Sequence, residues 1–141
     1  MNYLVTGGAG FIGSTLSNKL LLEGHSVTVI DDLSMGKKQN LISNKDLKFI
    51  EGSVLDDELM DKVLSTETFD YIYHLAAIAS VADSVERPLE THHVNYDSVL
   101  KLLLLVKEKQ KSIKKFVFAS SAAVYGDCIE LPKRENSEIK P

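Results

Sequence analysis

The chain has 141 residues, of which 44% are hydrophobic and 26% are charged, and its formal net charge is −4. This length predicts one globular domain or part of a larger one, and the mild negative charge gives no electrostatic reason to expect nucleic acid or an anionic membrane as a partner. The longest apolar run, Leu102 to Val106, is too short to span a bilayer. The single cysteine, Cys128, cannot form an internal disulfide, which favours a reducing, cytoplasmic location.

Apolar runs typical of strands alternate with helical patterns along the chain. The predicted strands are Asn2–Val5, Val27–Ile30, Leu47–Glu51, Tyr71–Leu75 and Lys115–Ala119. The predicted helices are Phe11–Glu23, Asp56–Ser65 and about Pro88–Lys109, with a polar loop at Asp32–Asn44 and a polar tail at Lys133–Pro141 that has no partner strand of its own. This alternation is typical of an α/β fold with a parallel, doubly wound (Rossmann) sheet. Right-handed crossovers then predict the strand order 3-2-1-4-5.

The junction between the first strand and the first helix is rich in glycine. It reads Thr6-Gly7-Gly8-Ala9-Gly10-Phe11-Ile12-Gly13 and fits two registers of the phosphate-binding turn, one starting at Gly7 and one at Gly8. In such a turn one glycine permits the tight bend, one lets the backbone approach a pyrophosphate, and one lets the helix pack against the strand. We therefore predict cofactor contacts at Gly7, Gly10, Phe11, Ile12 and Gly13.

A carboxylate closes the second predicted strand. Asp31 follows Gly13 by 18 residues, close to the spacing at which an acidic side chain binds the adenosine ribose of a dinucleotide. Asp31 and its neighbour Asp32 favour NAD over NADP, because their charge would repel a 2′-phosphate. Two alternatives stay open: a glycine-rich turn beside an unrelated surface aspartate, and an NADP site in which Lys37 and Lys38 accept the phosphate.

In a sheet of this order, ligands bind beyond the carboxyl ends of the strands, near the switch between the first and fourth strands. Five segments are predicted to meet at this edge: Gly7–Gly13, Asp31–Asp32, Gly52–Val54, Leu75–Ile78 and Ser120–Tyr125. Their agreement is stronger evidence for a site than any one motif.

Two further motifs follow the fourth and fifth strands, namely His74-Leu75-Ala76-Ala77 and Ser120-Ser121-Ala122-Ala123-Val124-Tyr125-Gly126. With these residues the chain resembles the extended short-chain dehydrogenase/reductase superfamily and, within it, the UDP-sugar 4-epimerases. The resemblance covers essentially all 141 residues. It also includes Asp31-Asp32-Leu33-Ser34, Ser84-Val85 with Pro88, and Asn95.

The resemblance implies an NAD cofactor, a UDP-sugar substrate and a homodimer that pairs through the helix Pro88–Lys109. Ser121 would be the catalytic serine that hydrogen-bonds the sugar 4-oxygen, although a hydroxyl that merely bonds the backbone at a strand end is the alternative. Further implied cofactor contacts are Ser53, Val54, Leu75, Ala76, Ala77, Asn95 and Ser120, with a structural hydrogen bond to the backbone as the favoured alternative for Ser120. Implied substrate contacts are Ser84 and Tyr125, with simple packing as the alternative for Tyr125.

Some residues separate this chain from related enzymes. Nucleotide-sugar 4,6-dehydratases carry an Asp-Glu pair where this chain has Ala122-Ala123, and two alanines cannot exchange protons. Ser53 stands where the family typically has an aspartate, and Ser98-Val99 stands where it typically has Gly-Thr. We predict no metal site, and we interpret His74 as a core histidine.

The superfamily's general base and its lysine partner form a Tyr-x-x-x-Lys motif, which these 141 residues do not contain. The residues four places after the five tyrosines are Gly7, Leu75, Ala77, Leu100 and Ile129. We therefore expect an N-terminal NAD-binding portion of a longer protein, without the C-terminal substrate lobe, that binds NAD but does not epimerise alone. A non-catalytic NAD-binding sensor and another nucleotide-sugar reductase or dehydratase remain the alternatives.

Overall fold

The computed structural model describes residues 1–141 and contains one five-stranded sheet. Its strands are β1 (Asn2–Thr6), β2 (Ser26–Asp31), β3 (Leu47–Glu51), β4 (Tyr71–His74) and β5 (Lys115–Phe118). All four neighbouring pairs are parallel and the order is β3-β2-β1-β4-β5. The predicted fold class and strand order are confirmed.

Helices cover both faces of the sheet. They are α1 (Phe11–Leu22), α2 (Asp57–Thr66), α3 (Val81–Glu86), α4 (Pro88–His92) and α5 (Ser98–Lys109). Alternate residues of a strand point to opposite faces. Tyr3 and Val5 of β1 accordingly pack with α1, whereas Leu4 packs with α2 and α5. Two 3-10 turns, Lys38–Asn40 and Ala122–Tyr125, complete the regular structure together with one π-helical turn, His93–Asp97.

The long helix predicted over Pro88–Lys109 is interrupted by the π-helical turn. The Ser98 hydroxyl donates to the carbonyl of Val94 at 2.5 Å, and the Ser98 N–H donates instead to the carbonyl of His93, one residue further back. A serine hydroxyl that bonds the carbonyl four residues back competes with the regular helix ladder. The hydroxyl of Ser98 thus takes the place of its N–H as the donor to the Val94 carbonyl, which explains why this turn is wider than an α-helical turn.

The short helix α3 is absent from the sequence-based prediction. Ser80 caps it, because its Oγ accepts a hydrogen bond from the N–H of Asp83 at 3.2 Å. The other bounds differ from the prediction by one residue or so; for example, Asp56 is the N-cap of α2 rather than its first residue. None of the helices combines the length and apolar character needed to cross a bilayer.

The polar tail returns to the segment after β5. The N–H of Lys140 donates to the carbonyl of Val124 at 3.1 Å, and the N–H of Asp127 donates to the carbonyl of Lys140 at 3.1 Å. Cys128, in the same segment, is a buried free cysteine. The tail forms no strand, as predicted, but two backbone hydrogen bonds hold it in place.

Candidate dinucleotide-binding site

At Gly7 and Gly13, the glycine turn between β1 and α1 lies too close to other backbone atoms for a side chain. Gly7 has φ +66°, and a Cβ there would lie 2.7 Å from the backbone nitrogen of Ala76. A Cβ on Gly13 would lie 2.2 Å from the carbonyl oxygen of Gly7. These contacts bring the start of α1 and the loop after β4 against the end of β1, so the predicted roles of Gly7 and Gly13 in tight packing have a geometric basis.

The N-terminus of α1 is open. Gly10 is the N-cap and no side chain caps the helix. The first N–H groups of a helix have no partner within it, and they carry a partial positive charge that favours anions. Phe11 and Ile12, which supply two of these groups, have side chains that are 88% and 67% exposed. This end of α1 can therefore receive a phosphate group.

Asp31 is buried at the end of β2 and is tied to two loops. Its Oδ2 accepts a hydrogen bond from the N–H of Ala9 at 2.8 Å, and its Oδ1 accepts one from the N–H of Leu33 at 2.9 Å. A carboxylate has about four lone-pair sites, so each oxygen can still accept a hydrogen bond from a ribose hydroxyl. The neighbouring Asp32 is exposed and accepts from the N–H and the hydroxyl of Ser34 at 3.0 and 2.6 Å.

A cleft with a volume of about 280 Å³ lies at this edge of the sheet. The predicted cofactor residues that line it are Gly7, Gly10, Asp31, Asp32, Ser53, Val54, Leu75, Ala76 and Ala77. They come from four of the five segments that were predicted to meet at this edge. The lining also includes residues that sequence reasoning missed, namely Ser34, Met35 and Gly36 from the loop after β2, and Asp83, Arg87, Glu90 and Val94 from the region of α3 and α4.

The wall of the cleft formed by the loop after β4 is held from behind by Asn95. The Asn95 Oδ1 accepts from the N–H of Ile78 at 2.8 Å, and its Nδ2 donates to the carbonyl of Ile78 at 2.9 Å. Ile78 lines the cleft and Asn95 does not. The side chain predicted to contact the cofactor is thus engaged with the loop, and it positions the wall of the cleft.

His74 anchors the same wall in the core, as predicted. Its Nδ1 lies 2.8 Å from the Thr6 hydroxyl, and its Nε2 lies 3.5 Å from the Ser98 hydroxyl. Because the Ser98 hydroxyl donates to the Val94 carbonyl, it is the acceptor for Nε2–H. Burial disfavours the protonated ring and lowers the pKa of His74 to about 4. The ring is therefore neutral near pH 7 and serves as a structural hydrogen-bonding group.

The segment after β5 lies apart from the cleft. Ser120 and Ser121 are exposed and Tyr125 is partly buried, and none of them lines the cleft. The only hydrogen bond of the Ser121 hydroxyl is the one it accepts from the N–H of Ala123 at 3.2 Å. Ser84, the other predicted substrate contact, donates its hydroxyl to the carbonyl of Val81 at 2.7 Å. The structure thus leaves the Ser121 hydroxyl free to donate a hydrogen bond into solvent.

Comparison with known proteins finds chains that are similar in sequence and in fold. The UDP-glucose 4-epimerase of Halalkalibacterium halodurans is 38% identical over 141 residues, which are 100% of this chain and 41% of that protein. Among solved structures, UDP-glucose 4-epimerase from Thermotoga maritima with UDP-glucose has a TM-score of 0.86 and 41% identity, over 100% of this chain and 45% of that one. UDP-glucose 4-epimerase from Bifidobacterium longum in complex with NAD+ and UDP has a TM-score of 0.86 and 33% identity, over 99% of this chain and 43% of that one.

The chain thus spans about 41% of the length of the curated relative that it matches. The sequence profile of the NAD dependent epimerase/dehydratase family matches residues 3–141, which is nearly the whole chain. The chain therefore belongs to the NAD dependent epimerase/dehydratase family.

Proposed function

We propose that residues 1–141 are the NAD-binding Rossmann portion of a nucleotide-sugar 4-epimerase that interconverts UDP-glucose and UDP-galactose. The observation that carries the proposal is a single cleft that joins the buried Asp31 carboxylate to the glycine turn and the open N-terminus of α1. A carboxylate for a ribose and free N–H groups for a pyrophosphate are the two elements that dinucleotide recognition requires.

The residues of the cleft fit NAD. Asp31 would accept hydrogen bonds from the adenosine ribose. The N–H groups of Phe11 and Ile12 would bind the pyrophosphate; these two residues do not line the cleft themselves but follow Gly10, which does. Ser53 replaces the aspartate typical of the family. Its Oγ accepts a hydrogen bond from the N–H of Leu55 at 3.2 Å, and its hydroxyl can still donate a hydrogen bond to the adenine ring of the cofactor. The negative charges of Asp31 and Asp32 disfavour a 2′-phosphate, whereas Lys37 and Lys38 are absent from the lining of the cleft.

When bound, NAD would supply a reversible hydride acceptor for the C4 position of the sugar. Within this chain, the Ser121 hydroxyl would donate a hydrogen bond to the sugar 4-oxygen. Ala122 and Ala123 supply no acid or base for the elimination of water, which favours epimerisation over dehydration. Proton removal from the 4-hydroxyl requires a general base, and the 141 residues hold no Tyr-x-x-x-Lys for that role.

We expect isothermal titration calorimetry to show that the chain binds NAD at least tenfold more tightly than NADP. The reason is repulsion between the carboxylates of Asp31 and Asp32 and the 2′-phosphate of NADP, and a tenfold difference in affinity corresponds to about 1.4 kcal/mol. The variant Asp32→Asn should narrow this preference, because it removes a charge at the cleft. The matched control Asp46→Asn removes the same charge far from the cleft and should leave the preference unchanged. Equal affinity for the two dinucleotides would contradict the assignment of Asp31 and Asp32, and no binding of either would contradict the proposed cofactor.

The same preparation should show no conversion of UDP-glucose to UDP-galactose. Turnover by this chain would show that its own residues supply a general base. The assignment of that role to a Tyr-x-x-x-Lys motif, which rests on the family resemblance, would then be wrong. Binding without turnover is also what a non-catalytic NAD sensor would give. The Ser121 segment, which a sensor does not need, favours the epimerase, in which a substrate lobe completes the site.

We propose further that the protein is a cytoplasmic homodimer. Tyr96, Leu100, Leu103 and Leu104 form an exposed apolar stripe that is continuous from the π-helical turn into α5. An apolar stripe of this kind favours a partner surface, and a second copy would supply the same stripe.

We expect sedimentation velocity to show self-association that Leu104→Glu weakens at least tenfold, because a charge at a buried apolar contact must be desolvated. The control Leu22→Glu introduces the same charge at an exposed leucine of α1, on the other side of the sheet, and should leave association unchanged. A monomeric wild-type chain at high concentration would rule out this interface.

A further inference from the structure

The peptide unit of Ala9, in the middle of the glycine turn, is held on both sides. Its N–H donates to the Asp31 carboxylate, as described above, and its carbonyl accepts from the side-chain Nδ2 of Asn40 at 2.9 Å and from the N–H of Lys37 at 3.1 Å. Ala9 is fully buried. Since Ala9 lies between Gly8 and Gly10, these bonds fix the orientation of the turn just before its exposed N–H groups.

Asn40 is itself held by helix α1. Its carbonyl accepts from the Nδ2 of Asn18 at 2.8 Å, and the Oδ1 of Asn18 accepts from the N–H of Ile42 at 3.0 Å. Asn18 lies on α1, the helix that begins at the glycine turn. The hydrogen bonds therefore form a closed path from the turn to Asn40, from Asn40 to the middle of α1, and along α1 back to the turn.

The loop between β2 and Asn40 also contributes to the cleft. Gly36 of this loop lines the cleft and lies so close to the turn that a Cβ on it would be 2.8 Å from the Oδ1 of Asp31 and 2.9 Å from the carbonyl carbon of Ala9. The ribose side of the cleft and its phosphate side thus meet at Ala9. A change in the position of Ala9 would move the turn, whereas the hydrogen bond that Asp31 accepts from the N–H of Leu33 does not involve Ala9 and would remain.

We propose that Asn40 is a positioning residue for the diphosphate of the bound nucleotide. It acts through the Ala9 carbonyl, which fixes the turn so that the N–H groups of Phe11 and Ile12 are held toward the phosphates. Asn18 supports it by fixing the Asn40 backbone. This inference rests on the proposed function, because it concerns the same cofactor cleft.

A purely structural role for Asn40 makes a different prediction. If Asn40 only stabilised the loop, its loss would weaken every ligand of the cleft by the same factor or weaken none. If it positions the turn, its loss weakens ligands that carry a diphosphate and spares those that end at the ribose. Adenosine retains the Asp31 carboxylate as its partner in both cases, and ADP adds only the phosphates.

The test is the affinity of wild type and Asn40→Ala for ADP and for adenosine, measured by calorimetry for ADP and by NMR titration for adenosine. We expect about a tenfold loss for ADP, the equivalent of one partly buried hydrogen bond, and less than about a twofold change for adenosine. Gln39→Ala is the matched control, because Gln39 is the exposed neighbour in the same 3-10 turn and makes no side-chain hydrogen bond. It should change neither affinity.

Asn18→Ala gives a second, milder test should Asn40→Ala fail to fold. It should weaken ADP binding less than Asn40→Ala does, and the double variant should bind ADP no more weakly than Asn40→Ala alone, because the two side chains act through one contact. Equal losses for ADP and adenosine, or no loss for ADP, would overturn the inference while leaving the proposed function intact. A wild-type chain that binds neither ADP nor NAD would overturn both.

Discussion

The variant Gly13→Ala is expected to lower the free energy of unfolding by about 3 kcal/mol or more and to abolish measurable NAD binding. The added Cβ would lie 2.2 Å from the carbonyl oxygen of Gly7 and 2.7 Å from the Cα of Gly8. Both are backbone atoms of the turn, so no side chain can rotate away to relieve the contact. Overpacking typically costs about 1–3 kcal/mol, and a clash with rigid backbone belongs at the upper end or beyond. Relief would require α1 to move away from β1, which would open the turn that we propose binds the phosphates.

Urea unfolding followed by circular dichroism measures the loss of stability, and Gly10→Ala is the matched control. A Cβ on Gly10 would meet only the carbonyl oxygen of Gly7, at 3.3 Å, and the backbone of Gly10 at φ −73° is open to alanine. We expect Gly10→Ala to cost about 1 kcal/mol or less, since alanine is a poorer N-cap than glycine. Equal losses in the two variants would show that close packing of α1 on β1 is not what requires Gly13.

The order of the sheet was predictable because it depends on patterns that the sequence displays directly. Strands such as β1 and β2 are apolar on both faces, and the segments between strands carry helical periodicity. Helix α3 was missed because it has six residues and buries none of them, so it has no apolar stripe. Only the Ser80 cap could have indicated it. The π-helical turn was missed because it arises from one hydroxyl, that of Ser98, competing for one carbonyl.

The candidate site was predictable to the extent that it follows from spacing along the chain. The glycine turn and Asp31 were found in this way, and both line the cleft. The partners of these residues were not found, because they depend on where loops return in space. Ala9 and Asp31 are 22 residues apart, and Asn95 and Ile78 are 17 residues apart, with no periodicity to connect them. The same limit applies to Asn40, whose bond to Ala9 spans 31 residues.

The Ser120–Tyr125 segment was expected to join the other four at one edge. It does follow the carboxyl end of β5, which pairs with β4, but it does not line the cleft. The side chains of this segment are exposed or partly buried. Its role as a substrate contact therefore stays a prediction carried by the family resemblance, whereas the cleft proposed for the cofactor is lined by residues of this chain alone.

The burial of His74 has a consequence for the stability of the protein in acid. The folded pKa is lowered to about 4 by burial, whereas the ring in the unfolded chain titrates near 6.5. Between these two pH values the unfolded state binds more protons than the folded state, so the free energy of unfolding rises with pH across this window. The contribution of His74 to the free energy of unfolding is fully present above about pH 6.5 and is lost progressively as the pH falls toward 4.

We expect this single histidine to remove about 3 kcal/mol from the free energy of unfolding between pH 7 and pH 4, because each pKa unit corresponds to about 1.4 kcal/mol. Carboxylates such as Asp70, whose pKa is lowered by its hydrogen bond with Lys114, also weaken the protein in acid, so the histidine must be isolated by comparison. His74→Gln should be less stable than wild type at pH 7, and the difference should shrink by about 3 kcal/mol at pH 4 in urea titrations.

Ile72→Val is the control, since Ile72 is fully buried on the same strand and carries no titratable group. It should cost about 1 kcal/mol at both pH values. A difference between wild type and His74→Gln that stays constant from pH 7 to pH 4 would show that His74 binds its proton as readily in the folded chain as in the unfolded one, so that its pKa is not lowered. The hydrogen bonds to Thr6 and Ser98 would then have to rearrange inside the folded chain, and the wall of the cofactor cleft would move with them.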